Sequence, residues 1–300
     1  MTINTKTLPA IDIGTNAIRL FISNVEEYPT ETLFKKIAFL RVPIRLGEDV
    51  FTTGEIGQQK GKRLCETMQG FSYIMSAFNV ESYKAYATCA MREARNGKSV
   101  AEQIQKECDL NIEIISGTKE AETIFAGGMN EVVDDDKTYL YVDVGGGSTE
   151  VIVYSKSVKV EACSFPLGTV RMLNDAVDKE EMKHFKKWLK NITEKYTPDA
   201  IIGSGGNINK IHKLLNKKER ERITYQELDI LYEYMKSFNL EERERIMKLN
   251  PYRADVIIPA MKIFLTVGKI CKINEIIVPK LGLSDGIIRL LYEEEKRGRV

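Results

Sequence analysis

The sequence predicts an α/β chain of two duplicated domains, each built on a mixed sheet, with a cleft between them. Three observations carry that prediction. In YVDVGGGSTEVIVY, residues 141–154, an apolar run ends in an Asp, turns through glycines and a Ser, and resumes as a second apolar run. A weaker copy, PAIDIGTNAIRLFISNV, occupies residues 9–25, with Asp12 in register with Asp143 and Gly14 with Gly145. After each copy the elements read strand, strand, strand, helix, strand, helix, a pattern that layers helices over a sheet.

In the first half, strands are predicted at 8–13, 17–25 and 31–41. A helix follows in which Leu64, Met68, Phe71, Met75 and Phe78 recur at helical spacing, one stripe facing a core. Strand 81–87, a turn and helix beginning near Arg92, a helix at 98–107, strand 111–115 and a helix opened by Ser116 complete the half. The stretch GGMNEVVDDDKT at 127–138, glycines followed by acids, is the predicted hinge. The second half has strands at 138–144, 149–155 and 158–163, a helix at 179–196 and strand 200–203. The turn from Gly203 to Asn207 then opens a helix at 208–215, and a helix N-terminus after glycines is an anion site. Residues 216–250 are charged and helical, which reads as solvated helix faces. Helix 254–272, strand 275–279 and helix 285–296 close the chain. The domains are drawn at 1–127 and 128–300, with the C-terminal helix packing back on the first.

Composition narrows the function classes. Hydrophobic content of 43% and charged content of 29% belong to a soluble globular protein with a core. A net charge of +1 gives no global field to recruit a polyanion, so neither nucleic acid nor a membrane is an expected partner. No apolar run approaches the roughly 20 residues that span a bilayer, and MTINTKT lacks a signal-peptide pattern. Cys65, Cys89, Cys108, Cys163 and Cys271 are scattered without metal spacing and read as reduced thiols, hence a cytoplasmic location. His184 and His212 lie on Lys-rich stretches with no Ser or Cys motif nearby, which argues against a catalytic triad.

The chemistry lies in the glycine turns. Glycine permits positive φ and close approach to an anion. Successive N–H groups then converge on it, with hydroxyl and amide side chains adding donors. A carboxylate beside phosphate makes sense only with a hard cation such as Mg2+ between them. A plain β-hairpin with a glycine turn is the competing reading, and the second copy with its Asp in register weighs against it. The turns are not a Walker loop, since no Gly-Lys-Ser/Thr occurs. Nor are they a dinucleotide fingerprint, since a strand follows the turn and Glu150 stands where the third Gly belongs.

These residues resemble those of the sugar kinase, actin and heat-shock ATPase superfamily. Within it the chain closely resembles the exopolyphosphatase / guanosine pentaphosphate phosphohydrolase (Ppx/GppA) family in its short two-domain form. Six motifs in order carry the resemblance: AIDIGTNAIRL at 10–20, ATCAMREARN at 87–96, IISGTKEAETIFAG at 114–127, VDVGGGSTEV at 142–151, IIGSGGNI at 201–208 and RADVIIPAM at 253–261. The resemblance implies two actin-like (ribonuclease H-like) domains and hydrolysis of a terminal phosphoanhydride, in inorganic polyphosphate or guanosine pentaphosphate, in the interdomain cleft. It implies Glu120 as the carboxylate that orients or deprotonates water, and Arg92 as a phosphate-contacting arginine. Asp143 and Glu150 match the pair that holds Mg2+, with Asp12 counted beside them. Gly145, Gly146, Gly147 and Ser148 match one phosphate loop, Gly14, Thr15 and Asn16 another with Arg19 just after it, and Gly205, Gly206 and Asn207 a third turn. A homodimer is usual among such relatives.

Competing readings stand beside these roles. Glu120 in a first helical turn also complements the helix dipole, Arg19 also suits an acidic neighbour, and Arg92 also suits a helix surface. The chain departs from the family at Asn207, where Thr is usual, and at Ser284, where relatives tend to have an Arg-Glu pair before the glycine. It also ends near residue 300, short of the helical domains of longer members, which weighs against processive action on long polymer. An ATP-dependent kinase of the same superfamily would release phosphate only with an acceptor present, and a nucleotide sensor would bind without turnover.

Overall fold

The computed structural model describes residues 4–128, 134 and 136–298. Half of the predicted hinge at 127–138, residues 129–133 and 135, lies outside the described residues. The chain divides into two compact units, Met1–Gly128 with Gly282–Val300, and Met129–Leu281.

In the first unit the order is β1 (Asn4–Ile13), β2 (Ile18–Glu27), β3 (Thr32–Val42), α1 (Leu46–Thr53), α2 (Gln58–Ala77), β4 (Lys84–Ala87), α3 (Cys89–Glu93), α4 (Gly97–Cys108), β5 (Glu113–Ile114) and α5 (Gly117–Ala126). The second has β6 (Thr138–Val144), β7 (Thr149–Ser155), β8 (Val158–Phe165), α6 (Thr169–Leu173), α7 (Lys179–Tyr196), β9 (Ala200–Ser204), α8 (Gly206–Leu214), β10 (Ile223–Thr224), α9 (Tyr225–Lys236), α10 (Leu240–Ile246), α11 (Pro251–Ala254), α12 (Ile257–Cys271) and β11 (Glu275–Ile277). The last helix, α13 (Leu283–Lys296), returns to the first unit, where it packs on α5 and β1.

The two sheets share one plan. The first runs β3-β2-β1-β4-β5, and the second runs β8-β7-β6-β9-β11 with β10 added at its edge. In each, the first three strands in the chain are antiparallel and the rest of the shared plan is parallel. Both units are therefore mixed-sheet α/β units of the actin-like (ribonuclease H-like) build. The central strands explain the continuous apolar runs: Leu8–Ile13 of β1 and Tyr139–Val142 of β6 are buried in succession because helices cover both faces of such a sheet. The α2 stripe is a core stripe at Leu64, Met68, Phe71 and Met75, while Phe78 falls at the C-cap and is exposed. In the second unit α12 is apolar around most of its circumference and sits in the core with Phe185, Leu189 and Ile192 of α7.

Several elements differ from expectation. Strand 111–115 shortens to β5, strand 275–279 to β11, and helix 254–272 divides into α11 and α12. The helix carrying Arg92 begins at Cys89, so the arginine closes it. Helices α1 and α6, each directly after a third strand, were not expected.

Candidate active site

The loop after β6 is held open by what lies behind it. The Gly145 N–H donates to Ser148 O at 3.0 Å and closes the turn. The Gly145 carbonyl accepts from the Thr169 N–H at 3.0 Å, and the Gly146 carbonyl accepts from those of Val170 and Arg171 at 2.8 and 3.1 Å. The Gly147 carbonyl accepts from Arg171 Nε at 2.9 Å. Three successive carbonyls are thus turned toward α6. In a trans peptide the next N–H points the opposite way, so the amides of Gly146, Gly147 and Ser148 face away from that brace. That is an anion nest by construction.

Positive φ, the reason first offered for these glycines, is not the one at work here. Of the three turns only Gly205 takes it, at 101°. Behind the second loop, space excludes a side chain: a Cβ on Gly168, just before α6, would lie 2.3 Å from the backbone of Gly146 and Gly147.

Strand register builds a polar row across the mouth of the second sheet. Ser164 of β8, Glu150 of β7, Asp143 of β6 and Ser204 of β9 are successive ladder partners, so they share one face. Glu150 is 2% exposed. Its Oε1 accepts from Ser148 Oγ at 2.6 Å and from Ser164 Oγ at 2.9 Å. Asp143 and Glu150 each present a carboxylate oxygen within 4.8 Å of the other. Two carboxylates directly opposite in a ladder repel, and hard oxygen donors so spaced suit a hard divalent cation. The residues present therefore fit Mg2+. One step deeper on the same face, burial pushes the Tyr141 phenol well above its ordinary value, and the Asp143 charge adds to the effect.

The third turn borders Asp143. A Cβ on Gly205 would lie 3.0 Å from Asp143 Oδ1, tighter than side chains ordinarily sit, so the turn passes close against the carboxylate. Arg253 Nη1 donates to the Gly206 carbonyl and, at 3.2 Å, to Asn207 Oδ1. Asn207 keeps its amide N–H groups as donors. Burial, with the charges of Lys213 and Arg253 adding to it, holds the Lys210 amine below its ordinary value.

The first unit carries the same scaffold with different charge. The Gly14 N–H donates to Ala17 O at 3.2 Å, and the Thr15 and Asn16 carbonyls accept from the Gly47 and Arg45 N–H groups at 3.1 Å. Here α1 and the turn before it stand where α6 stands in the second unit. The place of Glu150 is taken by Arg19, the ladder partner of Asp12, and its Nη1 donates to Asp12 Oδ2. The carboxylate expected to join the metal ligands is thus paired with a guanidinium. Glu120 lies in the first turn of α5 behind the Ser116 cap, with its side chain 13% exposed. Arg92 Nη1 donates to the Ile115 carbonyl at 2.8 Å and lies 4.0 Å from Glu120 Oε2.

Sequence reading passed over the segment from Ser164 to Arg171. Its signal was present as a repeat: Pro43 and Ile44 precede α1 as Pro166 and Leu167 precede α6, each pair following a third strand.

Residues 25–295 match the Ppx/GppA phosphatase family. The chain is 25% identical to a putative exopolyphosphatase of Haemophilus influenzae over 99% of this chain and 94% of that protein. It is 23% identical to a guanosine-5'-triphosphate,3'-diphosphate pyrophosphatase of Vibrio parahaemolyticus over 97% of this chain and 60% of that longer protein. Its fold is similar to the crystal structure of the Aquifex aeolicus member of the Ppx/GppA family, with a TM-score of 0.77 and 25% identity over 97% of this chain and 99% of that one. No described helix is long and apolar enough to cross a membrane. The chain belongs to the Ppx/GppA phosphatase family.

Proposed function

We propose that this chain releases terminal phosphate from inorganic polyphosphate or guanosine pentaphosphate by water attack on the phosphoanhydride, with Mg2+ held by Asp143 and Glu150. The observation that carries this reading is the carboxylate pair set at the mouth of a braced amide nest. Bound Mg2+ supplies charge neutralisation at the terminal phosphate. The loop amides at 146–148 hold phosphate oxygens, and Arg92 offers the planar guanidinium fork that suits them. Glu120 orients the attacking water and accepts its proton. The protein's contribution is positioning and charge stabilisation, as is general in phosphoryl transfer. In the first unit, Asp12 holds Arg19 in place beside its loop rather than binding metal. The names of the Haemophilus and Vibrio relatives support substrates of this kind, and membership of a phosphatase family does not favour the kinase reading.

The test is phosphate release from short polyphosphate, long polyphosphate, guanosine pentaphosphate and ATP, each with and without Mg2+. Release from polyphosphate or guanosine pentaphosphate that needs Mg2+ but no acceptor is the expected result. Release that appears only when a sugar or acid acceptor is added would overturn it.

A further inference from the structure

We infer that Ser164 is a positioning residue, whose hydroxyl, together with that of Ser148, fixes the orientation in which Glu150 meets a divalent cation. The inference rests on the proposed metal role of Asp143 and Glu150.

Two hydroxyl protons converge on one oxygen of Glu150, from Ser148 at 2.6 Å and Ser164 at 2.9 Å. Hydrogen bonds to a carboxylate are charge-assisted and geometrically demanding. Two of them on Oε1 restrain a side chain that would otherwise have several rotatable bonds to sample. The choice of donor is informative. In the first sheet Asp12, the counterpart of Asp143, is restrained by Arg19, which stands in the place of Glu150 and also neutralises it. A hydroxyl restrains a carboxylate without bringing a positive charge of its own to the site. Outer partners of this kind orient metal-binding carboxylates and are worth a large factor in affinity.

The fold does not itself demand a serine here. Ser164 is the ladder partner of Glu150 on β8, and the equivalent place in the first sheet, beside Arg19 on β3, is filled by Arg41. The Ser164 side chain is exposed and lies on an edge strand, on the face opposite its chain neighbours Cys163 and Phe165, which pack in the core. A purely structural role would leave little for it to do.

The experiment is a titration of substrate-free protein with Mn2+, followed by the electron paramagnetic resonance of the free ion, for wild type, Glu150→Gln, Ser164→Ala and Ser164→Thr. Melting temperatures are recorded alongside. Ser164→Ala is expected to weaken Mn2+ binding about tenfold, within the range for outer partners of a ligand, and Glu150→Gln, which removes the ligand's charge, to weaken it by more. Ser164→Thr, which returns the hydroxyl, should bind as wild type. If Glu150→Gln loses Mn2+ while Ser164→Ala binds it as wild type does, the metal site stands and the role of Ser164 falls. If Glu150→Gln itself binds as wild type, the metal reading falls and this inference with it. Should Ser164→Ala also melt at a lower temperature, failure of Ser164→Thr to restore Mn2+ affinity overturns the inference.

Discussion

Glu120 sits where two physical roles coincide. In the first turn of α5 a carboxylate complements the helix dipole, which is worth about 0.3–1 kcal/mol. Its surroundings separate that role from catalysis. A residue serving the dipole alone gains nothing from burial, yet this side chain is 13% exposed and has a guanidinium 4.0 Å away. Arg92 in turn is tied to the carbonyl of Ile115 at the end of β5, so the pair is set by two elements rather than by one helix. Glu120→Gln should therefore lower the rate of phosphate release about 10²–10⁴-fold, the usual worth of acid–base help. The stability change should stay below about 1 kcal/mol, and substrate binding, read by calorimetry, should persist. A variant that kept more than roughly a tenth of the wild-type rate would return Glu120 to the dipole role. Position in an acidic first turn was legible from the sequence, and the resemblance named Arg92; that the two stand side by side was not legible, because Arg92 lies on α3, with α4 and β5 between it and α5.

At the scale of elements, each glycine loop is half of a pair, the other half being the short helix behind it. Gly168 is where they touch. Its backbone is ordinary, with φ −117°, so room rather than conformation excludes a side chain there. A methyl group 2.3 Å from the Gly146 and Gly147 backbone must push loop and helix apart. Gly168→Ala is expected to cost about 1–3 kcal/mol, as overpacking does, and to lower phosphate release about 10²-fold, the cost of displacing a positioning group by about 1 Å. Thermal unfolding and phosphate assays check both, and a variant that is normal in both removes the brace from the argument. The strands on either side of the loops were legible because their apolar runs are buried and their Asp residues fall in register. The brace was not, because most of its bonds run from backbone to backbone and leave no mark on side-chain type. Ser164 shows the same limit from the other direction. As one polar residue on an edge strand it is ordinary, and only the ladder register brings it to Glu150.

For the molecule as a whole, the decisive feature is that the second unit is inserted into the first. The chain leaves the first unit after α5, completes the second, and comes back as α13. The amphipathic spacing of residues 285–296 announces a helix, expected above to pack back on the first domain; the strand and helix that it meets there, β1 and α5, lie far from it in the sequence. On α13, Leu283, Ile287, Ile288, Leu291 and Tyr292 are buried, and a Cβ on Gly286 would lie 1.8 Å from Thr123 O of α5. Tyr292 Oη donates to Glu27 Oε1 at 2.7 Å, and Lys84 and Lys6 pair with Glu294 and Glu295 at 2.6 and 2.9 Å. The exposed part of such ion pairs is worth little. Burial is not: each large apolar side chain contributes about 1.5–3 kcal/mol, so together they match the roughly 5–15 kcal/mol that holds a domain folded. A chain ending at Leu281 should therefore lose the first unit while keeping the second, whose core draws on none of these residues. Hydrogen exchange reads the two separately. Amides of β1 and α5 should exchange at least about 10²-fold faster than in the full chain, because losing even about 3 kcal/mol is worth that factor. Those of β6 and β9 should keep their protection. Because Asp143 and Glu150 belong to the surviving unit, the same truncated chain should still bind Mn2+ yet release no phosphate, Glu120 and Arg92 having lost their support. Retained protection in β1 and α5 would mean that the first unit closes its core without α13.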